Sequence, residues 1–187
     1  MEPALWPTLA DAAQVLETRG IRFALIGGLA VSLRGQPRMT VDVDLVILAD
    51  VDQALRLAQE LSSTPFEPLF PGVEEVVARS FILPLRHRAT GIRVDVAIGM
   101  SGFEQQAVSR ATQVTIGDVR VPVVVVEDLL VMKALAGRPQ DEHDIRGLVA
   151  AQRDAIDWPA CLDIAEQLGA AIDVDIAGRL RTARGEI

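Results

Sequence analysis

The chain has 187 residues, half of them hydrophobic, with a formal net charge of −8, which is enough for one buried core and opposes non-specific attraction to nucleic acid. A single cysteine, Cys161, excludes a disulfide framework, and with no apolar run near the roughly 20 residues that cross a bilayer and no signal peptide, a soluble cytoplasmic protein with no membrane association is expected. Aromatic residues make up 4% and tyrosine is absent, leaving few platforms on which single-stranded bases could stack.

Helical periodicity runs over residues 9–18 and stops at Gly20; residues 22–27 then read as a short strand entering the pair Gly27 and Gly28. A helix over 28–35, closed by Gly35 and Pro37, leads to a strand over 41–48 and to a helix from about 51 that Asp50 or Asp52 caps. The proline-rich stretch 64–75 reads as loop. Two runs, 78–88 and 91–98, form a hairpin around Ala89, Thr90 and Gly91, with His87 as an exposed strand residue. A strand over 119–126 joins this part to helices near 126–136, 139–151, 158–168 and 173–184. The expected organisation is a core over 1–125 and a helical part over 126–187 packed upon it.

Side chains two apart on a strand point the same way, so Asp42 and Asp44 project from one face while Val41, Val43 and Leu45 fill the other. Two carboxylates that close repel by about 4 kcal/mol at an effective dielectric near 20, an arrangement that a divalent cation such as Mg²⁺ relieves. Asp95 is a third strand carboxylate, sharing its face with Arg93, which could instead pair with it. Glycines at a helix start let phosphate approach the free backbone N–H groups. A glycine pair alone is an ordinary turn, and an Asp-x-Asp alone could be a solvated edge or a calcium site. Helix, strand and Asp-x-Asp in succession favour a phosphate-and-metal site. Of the 18 basic residues one is lysine, Lys133.

The glycine pair, Asp42 with Asp44, and Asp95 together resemble the nucleotidyltransferase superfamily that includes DNA polymerase β, poly(A) polymerases and antibiotic adenylyltransferases. The resemblance implies an α/β (α+β) fold, a mixed central sheet flanked by helices, in which Asp42, Asp44 and Asp95 hold two Mg²⁺ ions against an NTP co-substrate. The segment RMTVDVD, with Arg38 and Thr40, and the segment EDLLVMKALAGRPQDEHDIRGL at 127–148 are similar to the AbiEii-type toxin branch. That likeness implies nucleotide binding by Gly27, Gly28, Arg38, Thr40 and Lys133, with Arg138, Asp141 and Asp144 as a second constellation beside them.

Many superfamily members carry Gly-Ser where this chain has Gly27-Gly28, so a hydroxyl contact to phosphate is missing, and Ser32 is not an evident substitute. The toxin branch implies an RNA acceptor, the 3′ end of tRNA among them, and a cognate antitoxin in a toxin-antitoxin pair. A small-molecule acceptor such as an aminoglycoside or lincosamide is the alternative, and a non-catalytic nucleotide-binding partner or antitoxin is a third. The basic cluster from Arg79 to Arg93 is placed to contact an acceptor.

Overall fold

In the computed structural model residues 4–185 are described; the outer ends of the two expected ranges, 1–3 and 186–187, lie outside them. Helix α1 (Leu5–Thr18) buries Leu5, Leu9, Ala12 and Leu16 along one stripe. Strand β1 (Arg22–Ile26) runs straight into helix α2 (Gly27–Arg34), and the change of direction falls on Gly27, whose φ of 66° is left-handed. Strand β2 (Asp42–Leu48) follows, then helix α3 (Val51–Gln59). Asp50 caps α3: its carboxylate accepts from the Gln53 N–H at 2.7 Å while the Gln53 side chain accepts from the Asp50 N–H at 3.0 Å.

The expected loop at 64–75 is partly ordered structure. Phe66–Pro68 forms edge strand β3, and helix α4 (Val73–Ser80) takes residues that the sequence assigned to the following strand. Val73 and Val77, one turn apart, are both fully buried, and that period of four overrides the β propensity of the stretch. Strands β4 (Ile82–His87) and β5 (Arg93–Ile98) form the expected hairpin. Helix α5 (Gly102–Arg110) was not expected, nor was strand β6 (Thr112–Ile116), which pairs with β7 (Val119–Val123) around Gly117. Helices α6 (Val126–Ala136), α7 (Pro139–Gln152), α8 (Trp158–Ile172) and α9 (Ile176–Arg184) complete the chain.

The fold is α/β, a mixed seven-stranded sheet of order β3-β4-β5-β2-β1-β7-β6 flanked by helices. β2 runs parallel to β5 and antiparallel to β1, so the two acid-bearing strands lie side by side at the centre. On one face Leu45, Leu85, Val94 and Val96 meet Leu16 of α1 and Leu57 of α3. The opposite face carries the acids. α7 packs on α2 so closely that a Cβ on Gly35 would lie 3.0 Å from Leu148. Among the described residues no helix is long and apolar enough to cross a membrane.

Two side chains depart from the sequence reading. Val41 precedes the strand and is 64% exposed, rather than filling the apolar face. His87 is buried, not exposed: its ring meets Thr8 and Thr90 hydroxyls at 3.1 and 2.8 Å and Asp11 at 2.9 Å. It fastens α1 to the hairpin, on the sheet face away from the acids.

Candidate active site

Register brings the acids together. Asp44 lies opposite Asp95 across the parallel β2–β5 ladder, and Asp42 lies opposite Arg93. Asp44 faces the start of α2, where the Gly28 N–H donates to its carboxylate, and a Cβ on Gly27 would collide with that carboxylate. A Cβ on Gly28 would meet the Arg38 guanidinium and come within 2.8 Å of the Thr40 hydroxyl. Gly27 is therefore required by contact as well as by conformation, and Gly28 by contact. Ser32, which the sequence left without a role, ties this turn to its neighbour: its hydroxyl is shared between the Gly28 and Arg38 carbonyls at 3.2 Å and accepts from the Arg38 N–H at 3.3 Å.

Burial, then the charges of Asp42 and Asp95, push the Asp44 carboxyl up to about 6. The Thr40 hydroxyl donates to Asp42 at 2.9 Å. Asp95 is held differently, because Arg93 grips it at two points, Nε to Oδ1 and Nη2 to Oδ2, each 2.8 Å. As placed, no three His, Cys, Asp or Glu side chains among the described residues are gathered closely enough to hold a metal ion. The donor set nevertheless fits a hard divalent cation: the carboxylates are oxygen ligands, and their mutual repulsion is what such an ion relieves.

Across from the acids stands a wall built by α6 and α7. Lys133 is buried, its Nζ 3.0 Å from Asp141 and 2.9 Å from Asp144. Arg138 Nε donates to Asp141 at 2.6 Å, and Arg38 Nε lies 2.8 Å from Asp144. Burial raises the Asp141 carboxyl, but the hydrogen bonds from Arg138 and Lys133 outweigh it and hold the group below its ordinary value. The two oxygens of Asp144 are fully buried with ion-pair contacts only, none of hydrogen-bond geometry.

One open cavity of about 900 Å³ collects these groups: Gly27, Gly28, Arg38, Thr40, Asp42, Asp44, Asp95, Lys133, Arg138 and Asp141 all line it. Of the residues expected to hold metal or nucleotide, Asp144 alone does not line the cavity and stands behind the wall. The lining also includes Arg93, Met39, Val41 and Met132, which the sequence did not assign to nucleotide binding. Met39 and Val41 could have been found from their position between Arg38 and Asp42, whereas nothing local marked Met132.

Residues 4–175 match a family described as a nucleotidyltransferase of unknown function (DUF6036). No curated protein matches the chain. Among solved structures, an antigenic nucleotidyltransferase-like protein from Paracoccidioides brasiliensis is 21% identical, with 93% of this chain and 91% of that one covered and a TM-score of 0.51. The antibiotic-resistance factor ANT(2″)-Ia is 11% identical in its solution structure, covering 100% and 92% of the two chains at a TM-score of 0.53. Its crystal structure in complex with adenylyl-2″-tobramycin gives 12% identity, 96% and 94% coverage and a TM-score of 0.50. At these identities the likeness is one of fold.

Proposed function

The chain belongs to the DUF6036 family of nucleotidyltransferases, and from that premise we propose that it moves NMP from an NTP to an acceptor hydroxyl at the cavity between β2, β5, α2 and α6. The observation that carries this reading is the pairing of Asp44 with Asp95, beside Asp42, directly under the glycine-opened start of α2.

Asp42, Asp44 and Asp95 would hold the divalent metal. When bound there, two Mg²⁺ ions supply charge stabilisation to the attacking and leaving oxygens of an in-line displacement. Gly27 and Gly28 let Asp44, Arg38 and Thr40 pack against the start of α2, the helix end at which phosphate would be held. Lys133 and Arg138, fixed by Asp141, place positive charge across the cavity from the acids, where it would meet the triphosphate. Thr40 orients Asp42. With so many fixed groups, positioning contributes most of the rate.

For the acceptor we put RNA first, the 3′ end of tRNA included, with the RMTVDVD likeness to AbiEii-type toxins as support and a cognate antitoxin as the corresponding partner. A cationic acceptor is less well served: Asp95, Asp141 and Asp144 are each already engaged by Arg or Lys. The alternative of a small hydroxyl compound draws on the shared fold with ANT(2″)-Ia, whose crystal structure contains adenylyl-2″-tobramycin. Incubation with labelled NTPs, Mg²⁺ and either total tRNA or an antibiotic panel separates the two by which substrate takes the label. Asp42→Asn is expected to lower transfer at least about 100-fold while leaving the melting temperature equal or slightly higher, since repulsion is relieved. Full activity in that variant would sink the reading.

A further inference from the structure

The acid-bearing face of the sheet continues past the site towards its edge. Residues directly opposite on paired strands share a face, so Asp42, Arg93, Arg86 and Glu67 form one rung across β2, β5, β4 and β3. Like charges directly opposite destabilise a sheet, yet Arg86 and Arg93 stand side by side and both are exposed. Arg93 is engaged by Asp95, and Glu67 by Arg88 at 2.8 Å. Arg86 has no ion-pair partner among the described residues. Lys133 and Arg138 on the α6–α7 wall are each engaged by Asp141, whereas Arg86, on the sheet face beyond the cavity, is an unmatched cation.

We propose that Arg86 and Arg93 form a phosphate-binding site for the acceptor, which is therefore a molecule carrying phosphate near its reacting hydroxyl. The inference rests on the nucleotidyl-transfer reading of the neighbouring acids. Arg86 stands two strand spacings from Asp42, roughly 10 Å, on the flank opposite α6. Arg93 has two parts. While Asp95 has no other counter-charge, Arg93 occupies both of its oxygens. Once Asp95 turns to a divalent cation, Arg93 would lose its partner and stand beside its register neighbour Arg86, two guanidiniums whose charge and fork of donors suit a phosphate. Cation binding at Asp95 and phosphate binding at Arg86 and Arg93 therefore strengthen one another, and by linkage the coupling is reciprocal.

The test omits NTP, so that no turnover occurs, and uses the full chain with Mn²⁺ and a fluorescein-labelled RNA oligonucleotide bearing a free 3′ hydroxyl. Mn²⁺ binding is read from the free-ion spin signal and RNA binding from anisotropy across a salt series. Mn²⁺ is expected to tighten oligonucleotide binding about tenfold. Arg86→Ala is expected to weaken the oligonucleotide about tenfold and reduce its salt slope by about one, with Mn²⁺ affinity unchanged. Arg93→Gln is expected to bind Mn²⁺ more tightly and to lose the coupling. Arg56→Ala, an exposed arginine of α3 on the other face, should match the parent. Competition by a nucleoside 5′-monophosphate marks a small phosphorylated acceptor, and competition by unlabelled RNA alone marks a polynucleotide. Unchanged oligonucleotide affinity in Arg86→Ala, or unchanged Mn²⁺ affinity in Arg93→Gln, overturns the proposal. Mg²⁺-dependent ATP binding, measured separately and expected to vanish in Asp42→Ala, tells that failure apart from failure of the transfer reading itself.

Discussion

Asp144 has no exposed side-chain surface, yet it sits between Lys133 and Arg38, two cations brought to it from different helix and loop segments. Removing one member of a buried ion cluster leaves the others uncompensated, so Asp144→Ala is expected to cost about 3–5 kcal/mol of stability, measured as a shift in urea midpoint without change in slope. A shift below about 1 kcal/mol would show instead that the two cations swing out to water. Cys161 illustrates a buried group with no charge partner: burial first, then the negative charges of Glu127, Asp128 and Asp157, pushes its thiol up to about 12. At pH 8 it is therefore a neutral thiol without solvent contact, and a thiol reagent is expected to react only as the protein unfolds. Labelling of the native protein within minutes would contradict this. The sequence showed the acids because a period of two is local, and raised the Arg93–Asp95 pair for the same reason. It could not show Arg38 with Asp144, or His87 with Asp11, since those contacts exist only after distant segments have packed.

At the scale of elements, the junction of β1 and α2 has no loop to absorb change. Gly27 is left-handed at φ 66°, and a Cβ there would strike the Asp44 carboxylate. Gly27→Ala therefore incurs about 1–2 kcal/mol of backbone strain and displaces a proposed metal ligand. The expected result is a modestly lower melting temperature together with loss of Mg²⁺-dependent ATP binding, read by calorimetry. Unaltered ATP binding would remove the junction from the site. Elements with strong local signals were legible: β1, β2, the β4–β5 hairpin and helices α6 to α9 lie close to where periodicity put them. α4, α5 and β6 were not. Phe70, Pro71 and Gly72 disguise the start of α4, while α5 carries few apolar residues and announces itself only by the Ser101–Glu104 capping box. Edge strand β3 has three residues, too few for an alternation to register.

Across the whole molecule the cavity is closed by two unlike parts. The sheet and α2 contribute the carboxylates and the glycine turn; α6 and α7 contribute Lys133, Arg138 and Asp141. α7 is fastened to α2 where Leu148 meets Gly35, and the Gln152 side chain donates to the Arg34 carbonyl at 2.6 Å. A triphosphate that touches both parts adds bonds between them that the unfolded chain cannot make. Binding to the native state alone stabilises by about 2.7 kcal/mol at a ligand concentration 100 times the dissociation constant. For a domain of this size each kcal/mol moves the melting temperature by about 2–4 °C, so saturating Mg²⁺ and ATP together are expected to raise it by about 5–10 °C. ATP without divalent ion should raise it far less, because the carboxylates then repel the phosphates. Asp42→Asn should abolish the difference between those two conditions, since the acids are what makes binding depend on the ion. An equal rise with and without Mg²⁺ would mean that the nucleotide is held by the wall of α6 and α7 alone, and that the carboxylates of β2 and β5 take no part in holding it.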